Sequence, residues 1–276
     1  MGETYGWIAA LALLILLLEI LKLCVSAQKD GARLDVGTCM TIGSREVQED
    51  QTACMSTDAG MMAVLADGRG KAYGGRIAAR TAVDTFRDIF RDYNAFNNPQ
   101  YYFRKAFQCA NREILKVLGD ENRGSASVGC ALIRRGYLYY ALVGNVKIAV
   151  YREGTLVPVS AGHTVAVMAQ RRFREGRLSR QDTLSLLENQ RLYNYLGQDG
   201  FRDIEYFDAP VQLLKGDILA LMSDGIYDFL GFRQVEEVLR ERGNCQEKAL
   251  RIIEKVNRGA GENKDNASVI LIGVTR

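Results

Sequence analysis

The chain has 276 residues, of which 47% are hydrophobic, so it is long enough to bury a large core. Its formal net charge of +3 is too small to indicate nucleic-acid binding. Its 6 cysteines lie far apart without a Cys-x-x-Cys pair, which argues against a structural zinc site and a disulfide scaffold. We therefore expect core cysteines in a reducing compartment. A histidine-dependent nucleophile triad would have to use His163, since the chain has 1 histidine.

The beginning of the chain differs in character from the rest. Residues 6–25 read GWIAALALLILLLEILKLCV, close to the roughly 20 residues that a helix needs to cross a bilayer. A cleaved signal peptide and an amphipathic core helix are the alternatives, but no Lys or Arg precedes this long apolar run. We expect residues 1–30 to form an uncleaved anchor. Lys22, Lys29 and Arg33 follow the apolar centre, so the positive-inside rule predicts a single-pass protein with its large domain in the cytoplasm.

From about residue 36 onward, strand-like and helix-like stretches alternate. Residues 61–68, MMAVLADG, form a short apolar run that ends in an acid and a glycine, as expected of a buried strand entering a functional loop. Apolar residues then recur at helical spacing and predict two core-facing helices, the first with Ala79, Val83, Phe86 and Phe90, the second with Phe103, Phe107, Ala110, Ile114 and Val117.

The second half of the chain is richer in strand signals. Short β-rich runs separated by turns in residues 125–159 predict an antiparallel meander. A polar helical segment at about 167–190 precedes a predicted hairpin over residues 211–225. The chain closes with a helix carrying Ala249, Ile252, Ile253 and Val256 and a final strand at 267–274. Antiparallel groups with helices between them favour an α+β fold, with one domain over residues 31–276.

Five acids stand out by their context. Asp67, Asp224 and Asp265 lie at predicted strand ends, and Glu49 and Asp50 end the opening stretch. Carboxylates are ligands that Mg²⁺ and Mn²⁺ prefer, and a glycine after an acid lets the backbone carbonyl approach an ion. Each acid taken singly has a simpler explanation, because Asp-Gly is common in turns. The segment DGRGKAYGG matches no nucleotide-binding motif, so the residues alone indicate a divalent-metal hydrolase.

A set of motifs then decides between these explanations. In chain order they are REVQED, LADGRGKAYGG, GSASVGCAL, LVGNVKIAVYREG, VSAGHT, NYLG, DILALMSDGIYD and KDNASVILI. This ordered set resembles the metal-dependent serine/threonine protein phosphatases of type 2C, and the bacterial branch more than the animal one. The resemblance covers about residues 36–274 and implies an αββα sandwich, in which helices flank two antiparallel sheets. We expect one transmembrane helix before this sandwich.

The resemblance assigns two Mn²⁺ or Mg²⁺ ions to the acids by position. Asp67 would bridge the two ions. Glu49 and the Gly68 carbonyl would complete the protein ligands of one ion, directly or through water, and Asp224 and Asp265 would hold the other. The implied reaction is hydrolysis of phosphoserine and phosphothreonine in proteins by a metal-activated water, with no protein nucleophile.

Three further roles follow from the resemblance. Asp50 would support the metal ligands from behind. Arg45 would clamp the substrate phosphate, because a guanidinium fork matches phosphate oxygens. Asp228 matches one ligand of a third ion found in bacterial members, with Asp120, Glu121 or neither as its partner.

The chain departs from the family pattern at four positions. Lys71 replaces the last glycine of Asp-Gly-x-Gly-Gly, and Arg69 stands where animal members carry a histidine. Asn145 replaces the aspartate of the Gly-Asp-Ser-Arg turn, and Gly162 precedes His163 where an aspartate is common.

Two functions are compatible with these motifs. The first is a protein-serine/threonine phosphatase that acts on the substrates of a serine/threonine kinase at the cytoplasmic face of a bacterial cell membrane. The alternative is a membrane-tethered, non-catalytic phosphatase-fold module that binds or regulates a phosphoprotein. Degenerate members usually lose the metal-binding acids, and all of them are present here, so the enzyme is the expected function.

Overall fold

The structure is a computed structural model, and it describes residues 33–92, 95–119, 123–201 and 203–275. The predicted anchor at 6–25, with its 1–30 segment, lies outside the described residues, as do Asp120 and Glu121. Across the described ranges, no helix is both long enough and apolar enough to span a membrane.

Eleven strands lie within the described residues. In chain order they are β1 (Leu34–Thr41), β2 (Gln51–Thr57), β3 (Gly60–Gly70), β4 (Gly124–Arg134), β5 (Tyr137–Val143), β6 (Lys147–Arg152), β7 (Thr155–Pro158), β8 (Glu205–Tyr206), β9 (Val211–Gln212), β10 (Ile218–Met222) and β11 (Ala267–Val274). They form two antiparallel sheets. One has the order β1-β11-β10-β6-β7, and the other has the order β2-β3-β4-β5-β8, with β9 also paired to β5.

Helices cover the outer faces of both sheets. The described helices are α1 (Gly74–Asp92), α2 (Pro99–Leu118), α3 (Val165–Arg174), α4 (Arg180–Leu186), α5 (Asp224–Arg240) and α6 (Cys245–Arg258). α1 and α2 pack on the β2–β5 sheet, α5 and α6 pack on the β1–β7 sheet, and α3 packs against α4. The result is the α+β, αββα sandwich that the motifs predicted.

The last strand shows how the sequence builds these layers. In β11, Ile270 and Ile272 belong to the core between the two sheets, whereas Val269 and Leu271 face the core under α5 and α6. Because both faces of β11 are buried, the strand is apolar from Val269 onward and lacks the alternation of a half-exposed strand. Burying each such side chain contributes roughly 1.5–3 kcal/mol.

The predicted meander over 125–159 is wrong in its connectivity. β4 pairs with β5 and β6 pairs with β7, but the two hairpins lie in different sheets. The chain crosses between the sheets at Gly144, whose φ of +96° favours glycine. A Cβ at Gly144 would lie 2.3 Å from the Ser127 hydroxyl oxygen, so the crossing also needs a residue without a side chain.

The predicted hairpin over 211–225 is also wrong. β9 pairs with β5 in one sheet, and β10 pairs with β6 and β11 in the other. The connecting turn at Gly216 has a φ of +93°, and a hairpin turn would also favour a glycine with positive φ. The turn sequence therefore does not distinguish a hairpin from a crossing between the two sheets. α5 was missed because Gly231, with a φ of +67°, kinks it and interrupts its apolar period.

The polar helical segment predicted at about 167–190 is two short helices, α3 and α4. Each begins at a hydroxyl residue whose side chain caps the first turn. Thr164 accepts a hydrogen bond from the Val167 amide, and Ser179 accepts one from the Asp182 amide. Such caps typically stabilise a helix by about 1 kcal/mol.

Candidate active site

The predicted acids meet at one edge of the sandwich, where strands of both sheets begin or end. Thr41, the last residue of β1, pairs with Ala267, the first residue of β11, and Met222 at the end of β10 pairs with Val269. In the other sheet, Gln51 at the start of β2 pairs with Ala66. Residues 42–50, 67–68, 223–228 and 264–266 are thereby brought together.

The loop 42–50 is held in place by the segment that precedes β11. The Ser44 amide donates to the Lys264 carbonyl at 2.9 Å. The Asn266 side chain donates to the Ile42 carbonyl at 2.8 Å and accepts from the Glu49 amide at 2.7 Å. Asn266 thus fixes both ends of the loop that carries Arg45 and the Glu49-Asp50 pair.

The clustered acids repel one another. Burial, followed by the charges of Asp224 and Asp50, raises the pKa of Asp67 well above its usual value. Burial and the charge of Asp265 raise the pKa of Asp224, and the same two causes raise the pKa of Glu49. The ionised forms are therefore unfavourable beside one another, and a divalent cation would relieve the repulsion.

Asp50 is the most deeply buried of these acids, with 2% of its surface exposed. Burial raises its pKa to about 7, although the neighbouring Ser268 and Ser223 side chains oppose the rise. The Ser223 hydroxyl donates to Asp50 Oδ2 at 2.9 Å, and the Ser268 amide donates to the Ser223 hydroxyl at 2.9 Å. Asp50 therefore ties the start of β2 to the end of β10, behind the other acids.

Asn145 positions Asp224. Its Nδ2 donates to Asp224 Oδ2 at 3.1 Å, and its Oδ1 accepts from the Ser127 hydroxyl at 2.8 Å. The Tyr227 hydroxyl donates to the Asn145 backbone carbonyl at 2.8 Å. The Asn145 hydrogen bond lowers the pKa of Asp224 against the larger effect of burial. An aspartate at this position would instead add a carboxylate beside Asp224.

Arg45 makes an ion pair with one of the predicted metal ligands. Its Nε and Nη2 each lie 3.0 Å from an oxygen of Asp265, and the two side chains are 55% and 53% exposed. In the part of the chain that the structure describes, no three His, Cys, Asp or Glu side chains are already arranged to hold a metal ion. The two hydrogen bonds occupy part of the acceptor capacity of the Asp265 carboxylate, and separation of the two side chains would leave the guanidinium open to a phosphate.

Glu49 provides the test of whether the residues suit a cation. Its Oε1 is buried and has no hydrogen-bond partner in the structure. The amides of Gly75 and Arg76 at the start of α1 lower its pKa, against the larger effects of burial and Asp265. A Cβ at Gly75 would lie 2.4 Å from Oε1, so only glycine leaves room for this carboxylate. Oε1 makes no hydrogen bond of normal geometry among the described residues, and a buried carboxylate oxygen of this kind beside other acids matches the needs of a divalent ion.

Gly68 allows two other backbone segments to approach β3. A Cβ there would lie 2.2 Å from the Gly75 carbonyl oxygen and 2.6 Å from the Glu49 carbonyl oxygen. This close packing explains why a glycine follows Asp67, and it fixes the Gly68 backbone beside the acids.

Asp228 lies one helical turn after Asp224 on α5 and is exposed. Partial desolvation and the charge of Asp224 raise its pKa, and the nearby Lys147 lowers it. Lys147 donates to the Ala161 carbonyl at 2.8 Å and lies 5.8 Å from the centre of the Tyr227 ring. A cation bound by Asp228 would therefore have a lysine ammonium as its neighbour.

Three polar residues of the site were not predicted. Ser223 and Ser268 support Asp50, and Asn266 holds the 42–50 loop. Asn266 and Ser268 both lie in the motif KDNASVILI, and Ser223 directly precedes Asp224. A position within three residues of a candidate ligand was thus the signal available for all three.

His163 has a structural role that is separate from the acids. It is buried, its backbone amide donates to the Gly144 carbonyl at 2.7 Å, and its Nδ1 accepts from the Gly144 amide at 3.1 Å. The preceding Gly162 has a φ of +93°, which explains why glycine replaces the family's aspartate there. Because its Nδ1 is occupied by a backbone donor, His163 fixes the turn between the two sheets and is not arranged as the base of a triad.

Because His163 is buried, we expect the free energy of unfolding to depend on pH. Burial lowers its pKa from 6.5 to about 4. A base whose pKa is lower in the folded state stabilises the fold fully at a pH above its pKa in the unfolded chain. This stability is lost as the pH falls from 6.5 towards 4. The loss amounts to roughly 3 kcal/mol.

We expect His163→Asn to remove this contribution, because the Asn Oδ1 can accept from the Gly144 amide without titrating. The measurement is the free energy of unfolding by urea between pH 7 and pH 4 for both proteins. The difference between wild type and variant should change by about 3 kcal/mol across this range. A constant difference would show that His163 does not titrate in this way.

Comparison with known proteins decides the family. The family model described as Protein phosphatase 2C matches residues 40–250. The chain belongs to the protein phosphatase 2C family. It is a protein-serine/threonine phosphatase, so the activity predicted from the motifs is confirmed.

The relatives are bacterial. The serine/threonine phosphatase stp of Listeria welshimeri is 26% identical over 215 residues, which cover 76% of this chain and 82% of the relative. The S. agalactiae serine/threonine phosphatase has a TM-score of 0.75 at 21% identity, over 88% of this chain and 100% of that chain. PstP/Ppp of Mycobacterium tuberculosis has a TM-score of 0.70 at 21% identity, over 88% of this chain and 99% of that chain. These likenesses confirm the fold.

Proposed function

We propose that the phosphatase uses two divalent ions, Mn²⁺ or Mg²⁺, to hydrolyse phosphoserine and phosphothreonine in proteins. Glu49, Asp67, Asp224, Asp265 and the Gly68 carbonyl would hold them. The observation that carries this proposal is the convergence of like-charged carboxylates with raised pKa values beside a buried, unpartnered Glu49 oxygen. A structure of a PstP catalytic domain is described as a complex with 2 manganese ions and has a TM-score of 0.68.

Each residue has a distinct task in the proposed reaction. The bound ions would supply the positive charge that makes water a sufficient nucleophile near neutral pH. Arg45 would leave Asp265 and bind two oxygens of the substrate phosphate, where its charge stabilises the transition state. Asn145 keeps Asp224 oriented and favours its ionised form, and Asp50 braces the cluster from behind. Asp228 is the candidate ligand for a third ion.

The proposed substrates are phosphoproteins produced by a serine/threonine kinase. We place the reaction at the cytoplasmic face of a bacterial cell membrane, with residues 6–25 as the anchor. Support comes from the length of this apolar run and from the basic residues that follow it.

The activity is tested on the full chain, purified in detergent, with a phosphothreonine peptide and with p-nitrophenyl phosphate. We expect hydrolysis of both to require Mn²⁺ or Mg²⁺ and to stop when the ions are chelated and removed. Turnover that survives complete metal removal would contradict the proposed mechanism. Metal binding without turnover of either substrate would favour a non-catalytic phosphoprotein-binding module.

The topology is tested separately, by adding protease to intact cells and to lysed cells. We expect the domain to be spared in intact cells and digested after lysis, because a cytoplasmic domain is shielded by the membrane. Digestion in intact cells, or a mature protein whose first residue lies near Ala27, would contradict the proposed anchor.

A further inference from the structure

Beside the catalytic acids, the end of β3 borders a cavity of about 480 Å³. This volume lies in the range of ligand-binding pockets. Among the described residues that line the cavity, three are basic, Arg69, Lys71 and Arg123, and none is acidic. Arg69 and Lys71 are two of the departures from the family motif, and the proposed hydrolysis uses neither.

The opposite wall of the cavity is partly apolar. It comes from the last turns of α2, through Leu115 and Leu118, and from Tyr195. Asn111 of α2 holds this wall to the loop beside Tyr195, because its Oδ1 accepts from the Gly197 amide at 2.7 Å and its Nδ2 donates to the Gln198 carbonyl at 3.1 Å. The wall is therefore part of the packed fold.

The basic side of the cavity is set by direct contact between two backbone segments. The Lys71 amide donates to the Arg123 carbonyl at 3.3 Å. A Cβ at Gly70 would lie 2.7 Å from the same carbonyl oxygen, and a Cβ at Gly124 would lie 2.2 Å from the Gly74 carbonyl oxygen. The glycines thus bring the β3 end and the β4 start together, which places Lys71 and Arg123 side by side.

Within the described residues, these cations lack the partners that neighbouring surface charges have. Lys116, one turn before the end of α2, lies 3.6 Å from Glu113. Among the described ion pairs, in contrast, none includes Arg69, Lys71 or Arg123, and all three residues are exposed. Their positive charges therefore face the cavity without compensation from the described acids.

The cavity begins close to the catalytic acids along β3, although none of the described acids lines it. Arg69 lies two residues after Asp67 on β3, about 7 Å along the strand, and Lys71 directly follows the last residue of β3. An extended peptide advances by the same distance per residue. A peptide with its phosphorylated residue at the acids would therefore place residues two to four positions away over the cavity.

We infer that this cavity binds acidic residues of the phosphoprotein substrate, two to four positions from the phosphorylated residue, so that the enzyme selects acidic phosphosites. The inference rests on the proposed function of the neighbouring acids. Carboxylates of the substrate would pair with Arg69, Lys71 and Arg123. The aliphatic parts of the same peptide side chains would pack against Leu115 and Leu118. Exposed ion pairs typically contribute up to about 1 kcal/mol each, so the expected preference is about fivefold to tenfold.

The deciding measurement is binding of three fluorescent phosphonate peptides to the full chain in Mn²⁺, because these analogues cannot be hydrolysed. The three peptides share one core. The first carries Gln two and four positions away on both sides of the phosphonate. The second carries Glu at the same two positions before the phosphonate, and the third carries Glu at the same two positions after it. We expect one of the acidic peptides to bind about fivefold more tightly than the Gln peptide. The preference should shrink as salt screens the charges.

The Lys71→Gln/Arg123→Gln double variant should lose most of this preference. Lys215→Gln removes an exposed cation that precedes β10, whereas Asp224 follows β10. This variant should keep the preference for the acidic peptide. An Arg123→Glu variant should weaken binding of the preferred acidic peptide below that of the Gln peptide. Equal binding of all three peptides by the wild type, or a preference that survives the double variant, would overturn the inference. Turnover of p-nitrophenyl phosphate reports separately on the proposed function and should be similar in the wild type, the double variant and Lys215→Gln.

Discussion

Asp224→Asn should abolish Mn²⁺-stimulated phosphatase activity while leaving the fold intact. Asp224 lies among the acids proposed to hold the ions, and its carboxylate is oriented by Asn145. Mutating residues that only support a metal ligand already costs roughly 10- to 100-fold, so loss of a ligand should reduce kcat by more than about 100-fold. The measurement is kcat for p-nitrophenyl phosphate over a range of Mn²⁺ concentrations.

Thermal unfolding separates this effect from a folding defect. Without metal, the variant should be at least as stable as wild type, because one charge is removed from a cluster of like charges. Metal at 100 times its Kd should stabilise wild type by about 2.7 kcal/mol and should stabilise Asp224→Asn much less. Asp58→Asn, an exposed acid in the turn between β2 and β3, is the matched control and should behave as wild type. Near wild-type turnover in Asp224→Asn would remove the two-metal proposal.

The elements that sequence reasoning predicted well are those with a clear local period. α1, α2 and α6 carry apolar residues at helical spacing, although Val117 of α2, predicted to face the core, is exposed, and β11 is apolar from Val269 onward. α5 was missed because the kink at Gly231 interrupts its period. Which sheet a strand joins is a long-range property. The crossings at Gly144 and Gly216 look like ordinary hairpin turns in the sequence, so the pairing of β6 and β9 was predicted wrongly.

The candidate site was predicted from motifs, and the structure brings its acids together at one edge of the sandwich. The interactions between Asn266 and the 42–50 loop, and between Ser223 and Asp50, join residues more than 150 positions apart in the chain. No local pattern reveals such pairs. The ion pair between Arg45 and Asp265 is of the same kind, and it changes what is expected of Arg45.

Arg45→Ala should reduce kcat/KM for phosphopeptides by about 100-fold, the typical effect of removing a donor that stabilises a transition state. Arg45→Lys should recover only part of the loss, because an ammonium restores the charge but not the two-pronged geometry of the guanidinium. Affinity for Mn²⁺ should not weaken in Arg45→Ala. Arg45 occupies both oxygens of Asp265 in the structure, so its removal leaves this ligand more accessible to the ion.

The alternative is that Arg45 only ties the 42–50 loop to Asp265. Because both side chains are more than half exposed, this ion pair should contribute less than about 1 kcal/mol, and Arg45→Ala should change Tm only slightly. Arg80→Ala is the matched control, since Arg80 is also an exposed arginine paired with an aspartate, Asp84, at 3.7 Å. A loss of kcat/KM with unchanged Tm, absent in Arg80→Ala, assigns Arg45 to the substrate phosphate. If kcat/KM falls no more than a few-fold, or equally in both variants, Arg45 is a surface charge and the phosphate is bound elsewhere.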